Sequence, residues 1–438
     1  MSATTTIANS PPSTTASAPV RAGSRLAVLD GLRLLAALMV VSYHYVGLGD
    51  PWDAKLPHGF PLPVYWASEY GFLGVELFFL ISGFVICLSS LGRSLGDFFI
   101  ARVVRLYPAY WFAIIATTIV VTLLPHVRKP LGVKDTLTNF TMLQIPLHVH
   151  DVDGVYWTLW AELRFYLLFS IVVAMGVTYR RVVAFCAIWT VGCLIALSVG
   201  GPLLTLVFLP AQAPYFIAGT GFFLIHRYGQ NAMLWGIVGM SYLLAVHQLG
   251  VDPRIRHKFG HVPAWFAIVI ISVFFALIAL IALGKLTFGW RWLTTAGTLT
   301  YPLYLLHQHI GWAIIDKLQH RMPAPVLAGG VLALMLALAY AVHRFIERPL
   351  ARRMKTILRA AVGPAKQPHG GVGLRSRITQ RSRTAAATDR AGASIGRAAA
   401  PSELPAVSDV YGWSTILSSS IDQDTSTYER ATSTNASE

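Results

Sequence analysis

Ten stretches of this chain are apolar over lengths that match the thickness of a bilayer, and that one property leaves few folds open. They lie at roughly 26–48, 71–91, 108–125, 155–175, 182–199, 203–226, 232–249, 263–283, 297–315 and 324–345. A hydrocarbon core about 30 Å thick takes about 20 residues of helix. In lipid every backbone N–H and C=O must be paired within the structure, and a barrel strand would be about half as long and would alternate apolar with polar side chains. The expected fold class is therefore all-α, a polytopic transmembrane helix bundle of about ten spans. Pro210 and Pro214 make the sixth the least regular. Of the 438 residues 55% are hydrophobic and 13% charged, where soluble domains carry about 25% charged residues. A water-soluble globule is excluded.

The formal charge of +15 follows from where the basic residues stand and implies no nucleic-acid partner. Arg93, Arg102, Arg105, Arg180, Arg181, Arg227, Lys285 and Arg291 fall between spans on one side, and Arg348, Arg352, Arg353, Lys355 and Arg359 follow the last span. The positive-inside rule places that side and both termini in the cytoplasm. The bias is clear but imperfect: the outer loops hold Lys55, Arg128, Lys129, Lys134, Lys317 and Arg321, and the loop at 250–262, with Arg254, Arg256 and Lys258, departs from it most. Residues 1–25 are small and polar, lack the pattern of a cleavable signal, and are expected to form a disordered cytoplasmic lead. Residues 26–350 are expected to hold the transmembrane domain. Residues 360–438, rich in Ala, Arg, Ser and Thr, cannot bury enough apolar surface to fold and are expected to form a disordered cytoplasmic tail. Cys87, Cys186 and Cys193 lie inside apolar runs at no metal-ligand spacing, as packing residues do.

Ionisable residues inside spans are costly and point to function. In LDGLRLLAALMVVSYHYVG, Arg33 and His44 are eleven residues apart, which on a helix is about 16 Å of rise and a net rotation of roughly 20°. They share one stripe at two depths. A carboxylate beside a buried imidazole fixes its tautomer and raises its basicity, as a general base requires. Glu76 in GVELFFLISGF and Glu162 in WTLWAELRFYLL are the carboxylates placed to do this. The plain structural alternative makes Arg33 a snorkelling anchor, His44 a satisfied core histidine, and the glutamates mere neutralisers of buried arginine.

Arg102 and Arg105 stand one helical turn apart, an arrangement that suits phosphate because each guanidinium donates two parallel hydrogen bonds. A basic pair next to a span also serves as an interface anchor. His307 lies near mid-membrane with Tyr304 one turn before it in TYPLYLLHQHI, and both are candidates for lining the substrate site. Trp66, Tyr110 and Trp157 fall at span ends as interface aromatics, and Trp157 joins His307 and Tyr304 as a candidate substrate contact. His148, His150, Asp151 and Asp153 have the look of a metal cluster, but loop residues of these types are ordinarily solvated, and no metal is expected.

Six segments in this order resemble the acyltransferase family 3 of integral membrane proteins, which O-acylate sugars, cell-surface polysaccharides and some antibiotics. They are LDGLR with Arg33 and His44, GVELFFLISGF, Arg102-Val-Val-Arg105 with LYPAYW, WTLWAELRFYLL, TYPLYLLHQ and Glu347-Arg-Pro, and together they cover about residues 26–350. The resemblance implies His44 as catalytic base and Arg102 with Arg105 as donor residues. The acidic pair usual in the fourth-helix motif is Ala161-Glu162 here, so Glu162 inherits its role without a neighbour.

The expected activity is transfer of an acyl group, acetyl by analogy, from acyl-CoA to a hydroxyl of a glycan or a macrolide-like small molecule. Arg102, Arg105 and Arg33 would hold the donor's phosphates, and Glu162 or Glu76 would orient His44. The rival from another class is a secondary transporter with a proton relay of buried Arg, His and Glu. Transporters often show two related halves, and no internal repeat is evident in this sequence.

Overall fold

A computed structural model describes residues 22–48, 51–53, 59–252, 264–287 and 290–362. Most of the two expected terminal segments, with Lys55, Arg254, Arg256 and Lys258, lie outside the described residues. The described chain is helical without strands. Helix α1 (Ala22–Ser42) runs into a π-helical turn, Tyr43–Gly47. A short α2 (Leu62–Glu69) leads to α3 (Gly74–Ser90) and α4 (Leu95–Leu123). The long loop that follows contains α5 (Val133–Asn139) and a 3-10 turn, Gly154–Tyr156, which opens α6 (Trp157–Met175). Next come α7 (Tyr179–Val199), α8 (Pro202–Phe208), α9 (Ala213–Tyr228), α10 (Ala232–Val251) and α11 (Ala264–Ala282). Helices α12 (Arg291–Leu318) and α13 (Ala324–Val342) follow, and a second π turn, His343–Glu347, joins α13 to α14 (Arg348–Val362).

Nine helical segments among the described residues are long and apolar enough to cross a membrane. Helix α12 has 28 residues, about 42 Å of helix, so it is long enough as well. Its buried Thr300, His307, Gln308 and His309 lower its apolarity. Large apolar side chains such as Leu123, Ile188 and Val199 are 73%, 68% and 75% exposed, which a bilayer tolerates and water does not. The protein is an integral, multi-pass membrane protein.

Two spans differ from the sequence reading. Helix α4 begins at Leu95, where Ser94 accepts the Asp97 amide at 3.1 Å, well ahead of the apolar run that marks the span. Hydropathy registers only the apolar part of a helix, so Arg102 and Arg105 are not loop residues: both are helical and buried. The sixth run is in two pieces. Helix α8 stops at Phe208, Leu209 takes a left-handed φ of 49°, and α9 starts afresh with Pro214 in its first turn.

Helix α3 is the most enclosed span. It packs on α9 where Gly83 and Gly219 let the backbones approach: a Cβ on Gly83 would strike the Phe216 carbonyl, and one on Gly219 the Leu80 carbonyl. Helix α1 lies against α3 and α12, and α12 also packs on α4 and α13. This arrangement turns the His44 end of α1 toward the middle of α12.

Candidate active site: two polar layers joined by one helix

The first layer is built where the π turn of α1 meets α12. A π turn displaces backbone from regular helical pairing, and here aromatic side chains take up the displaced carbonyls. Trp312 Nε1 donates to the His44 carbonyl at 2.9 Å, and Trp52 Nε1 donates to the Tyr45 carbonyl at 2.8 Å. The Tyr45 hydroxyl in turn donates to the His307 carbonyl at 2.7 Å, in the space left by Gly311.

Two imidazoles meet in this frame. His44 Nδ1 lies 3.0 Å from the Val40 carbonyl and 3.0 Å from His307 Nε2, while His307 Nδ1 lies 2.8 Å from the Tyr304 carbonyl. Carbonyl oxygens only accept, so each Nδ1 carries the proton, and His307 Nε2 receives the His44 N–H with its lone pair. His44 Nε2 is then left unprotonated. His307 is fully buried, whereas His44 retains partial exposure, so the ring with the available lone pair is the accessible one.

The loop before α6 is pinned to the same place. Asp153 accepts the Val155 amide at 3.2 Å and the His309 amide at 3.0 Å, and His309 Nδ1 lies 3.0 Å from the Val152 carbonyl. Asp151 accepts from Gln144 at 2.6 Å. Both aspartates of the suspected metal cluster are therefore engaged in holding the loop. No group of three or more His, Cys, Asp or Glu among the described residues could hold a metal ion.

The second layer lies further down α12. Arg33, Arg102 and Arg105 are buried, as are Asp30, Glu162 and Glu347. Arg33 is 3.9 Å from Asp30. Arg105 donates to Glu347 Oε1, and Glu347 Oε2 lies 2.9 Å from His343 Nδ1. The Arg102 guanidinium sits 5.5 Å from the centre of the Tyr166 ring, whose hydroxyl donates to Glu162. Arg105 sits 5.4 Å from the Tyr301 ring, whose hydroxyl donates to the Leu106 carbonyl at 2.9 Å. Arg102 Nε and the Nε and Nη2 of Arg105 are buried N–H donors with no hydrogen-bond partner.

The structure brings His44 together with His307, and Arg33 with Arg102 and Arg105, but it assigns the glutamates differently from the sequence reading. Glu162 lies among Arg33, Arg102 and Tyr166, while the ionisable side chains nearest His44 are His307 and His309. Gly71 packs on the Met39 carbonyl and Gly74 on the Ala36 carbonyl, so the antiparallel register brings Glu76 abreast of Leu34. Glu162 belongs to the arginine layer, Glu76 is buried near the start of α3, and the hydrogen-bond partners that orient His44 are His307 and the Val40 carbonyl. Tyr304 is buried with its hydroxyl 3.4 Å from the Val155 carbonyl, between the two layers. Trp157 and Tyr110 are buried, not interfacial, whereas Trp66 is exposed. Arg164 turns to the Leu206 carbonyl at 3.1 Å.

A family model described as an acyltransferase domain matches residues 26–344. The chain belongs to this acyltransferase family. It is similar to a Bacillus subtilis (strain 168) protein named "Putative peptidoglycan O-acetyltransferase YrhL", at 24% identity over 374 residues, 74% of this chain and 54% of the relative. It is also similar to "Nodulation protein 10" of Rhizobium leguminosarum bv. viciae, at 29% identity over 177 residues, 35% of this chain and 45% of the relative. The chain thus spans about half the length of these curated relatives. No solved structure matches it.

Within this acyltransferase fold, sequence reasoning missed Asp30, Tyr45, His309 and Trp312, and it named Asp153 only as part of a metal-like cluster, not as the acceptor that pins the loop to α12. Asp30 stands three residues before Arg33, a helical ion-pair spacing that could have found it. Trp312 and Tyr45 act through backbone carbonyls, which leave no trace in residue type.

Proposed function

We propose that this protein is a membrane-bound O-acyltransferase that moves an acyl group, acetyl by family analogy, from acyl-CoA to a hydroxyl of a glycan or a macrolide-like small molecule. The observation that carries the reading is the unprotonated Nε2 of the partly exposed His44, whose ring is held by His307 and Val40 in a chain of an acyltransferase family.

His44 Nε2 takes the proton of the acceptor hydroxyl as its oxygen attacks the thioester carbonyl. The tetrahedral intermediate collapses, the C–S bond breaks, and the departing CoA thiolate recovers the proton from His44. The imidazolium formed in between keeps its Nδ1–H bond to His307 Nε2, a partner that strengthens as the charge appears. The donor enters at the arginine layer, which faces the cytoplasm with both chain termini, and passes its arm alongside α12. Phe78 and Tyr304 pack between the layers with ring centres 6.2 Å apart, so the helices part when the donor enters.

Mass spectrometry of glycans, lipids and secreted metabolites from cells with and without the protein tests this. An acylated product that depends on the protein is expected. Identical acylation profiles from cells in which the protein is expressed in the membrane would remove the proposal.

A further inference from the structure

Formal charges in the arginine layer cancel: Arg33, Arg102 and Arg105 are matched by Asp30, Glu162 and Glu347. A polyanion entering a buried layer with no surplus cation is desolvated without compensation. The surplus lies further along the chain. Helix α14 carries Arg348, Arg352, Arg353, Lys355 and Arg359 and no acidic residue. Arg348, Arg352, Lys355 and Arg359 recur at the spacing of one helical face, while Leu350, Met354 and Leu358 are half-buried on another. The helix packs antiparallel to the first turns of α4: Glu347 holds Arg105, Arg359 is 3.5 Å from Asp97, and Val362 lies beside Gly96. The basic stripe therefore leads directly away from the arginine layer.

The length of the donor decides where its phosphates fall. Tyr301 beneath Arg105 and His307 beside His44 are six residues apart on α12, about 9 Å of rise. In a coenzyme A thioester about thirteen bonds separate the inner phosphorus from the sulfur, and at the ~1.2 Å per bond of an extended chain this arm is about 15 Å long. With the thioester at His44, the phosphates lie about 6 Å beyond Arg105, one helical turn. That is the depth of Arg33, which Asp30 already neutralises, and on α14 it is the level of Arg352, with Arg348 one turn before it beside the Arg105–Glu347 pair.

We infer that Arg348 and Arg352 on α14 form a phosphate-binding site for the nucleotide end of an acyl-CoA donor. The unpaired N–H groups of Arg102 and Arg105 then face the neutral arm, whose amide carbonyls they can satisfy without a change in net charge. This moves the phosphates outward from Arg102 and Arg105, where sequence pattern alone put them, and it rests on the acyl-CoA reading above.

The test compares acetyl-CoA with S-acetylpantetheine, which has the same arm and no phosphates, as donors for the purified full-length protein in phosphatidylcholine nanodiscs. In the double variant Arg348→Gln, Arg352→Gln, KM for acetyl-CoA rises about tenfold or more, as loss of charge-assisted bonds requires. KM for S-acetylpantetheine and kcat stay within about twofold, less than ~0.4 kcal/mol. Arg353→Gln, off the stripe, behaves as wild type and controls for nonspecific charge loss. Equal effects on both donors, or none on either, overturn the site while leaving the enzyme reading intact. A defect seen only when phosphatidylglycerol is added makes the stripe a lipid contact and also overturns it. If the wild-type protein uses neither thioester, the donor reading falls and this site with it.

Discussion

His44 Nδ1 lies 3.0 Å from His307 Nε2, and the carbonyls of Val40 and Tyr304 settle which nitrogens carry protons. Two neutral imidazoles in series give the accessible ring a fixed tautomer without a carboxylate. Between them, α1 and α12 supply the whole dyad, and the π turn at Tyr43–Gly47 sets the angle at which the rings meet.

Loss of His307 is expected to act on the chemical step. His307→Ala leaves the His44 Nδ1–H with Val40 alone and frees the ring to rotate, so kcat falls by about 10²-fold with KM little changed. His307→Gln, which retains an acceptor, recovers part of that loss. Equal kcat values for wild type and His307→Ala would show that the dyad has no part in transfer.

The bond from Tyr45 to the His307 carbonyl occupies the space over Gly311, and a methyl there meets the Tyr45 hydroxyl. Gly311→Ala is therefore expected to displace Tyr45 and cost about 1–3 kcal/mol of stability through overpacking, with transfer reduced as well. Tyr45→Phe tests the bond alone and should cost about 1 kcal/mol. Thermal unfolding in detergent separates the two, and a Gly311→Ala protein as stable and active as wild type contradicts the packing described.

Arg105 and Glu347 form a buried ion pair between α4 and the turn leading into α14. Glu347→Leu leaves the guanidinium unmatched and is expected to cost about 3–5 kcal/mol. Adding Arg105→Met should restore much of the melting temperature, because an apolar pair removes the uncompensated charge. Additive losses in the double variant would mean that the two side chains do not depend on each other.

Close approach of α3 and α9 at Gly83 and Gly219 makes Gly219→Ala a packing test remote from the histidines. A backbone carbonyl blocks the added methyl, so a loss of about 3 kcal/mol is expected. The readout is the melting temperature of the purified protein, and an unchanged value would be inconsistent with backbone contact there.

Much of the fold was legible because the lipid demands it: runs of about 20 apolar residues can only be spans. What hydropathy could not register was the polar extension of α4 that carries Arg102 and Arg105, or the break at Leu209 inside an apolar run. His44, His307 and the three arginines stood out by residue type, since charge inside a span is costly. Their pairing did not, because it depends on the register between helices distant in sequence. Glu162 is a candidate partner for His44 by residue type, and only the packing that brings Tyr166 and Arg102 to it shows that it stands with the arginines.

The most direct test is the rate of acetyl transfer from acetyl-CoA by detergent-purified His44→Ala beside wild type, using the acceptor identified by mass spectrometry. With no membrane gradient a transporter has no work to do, so wild-type turnover in detergent marks an enzyme. With His44 as the base, the variant is expected to lose about 10²–10⁴-fold at unchanged yield and melting temperature. A His44→Ala protein that transfers acetyl at a rate close to wild type would contradict that role.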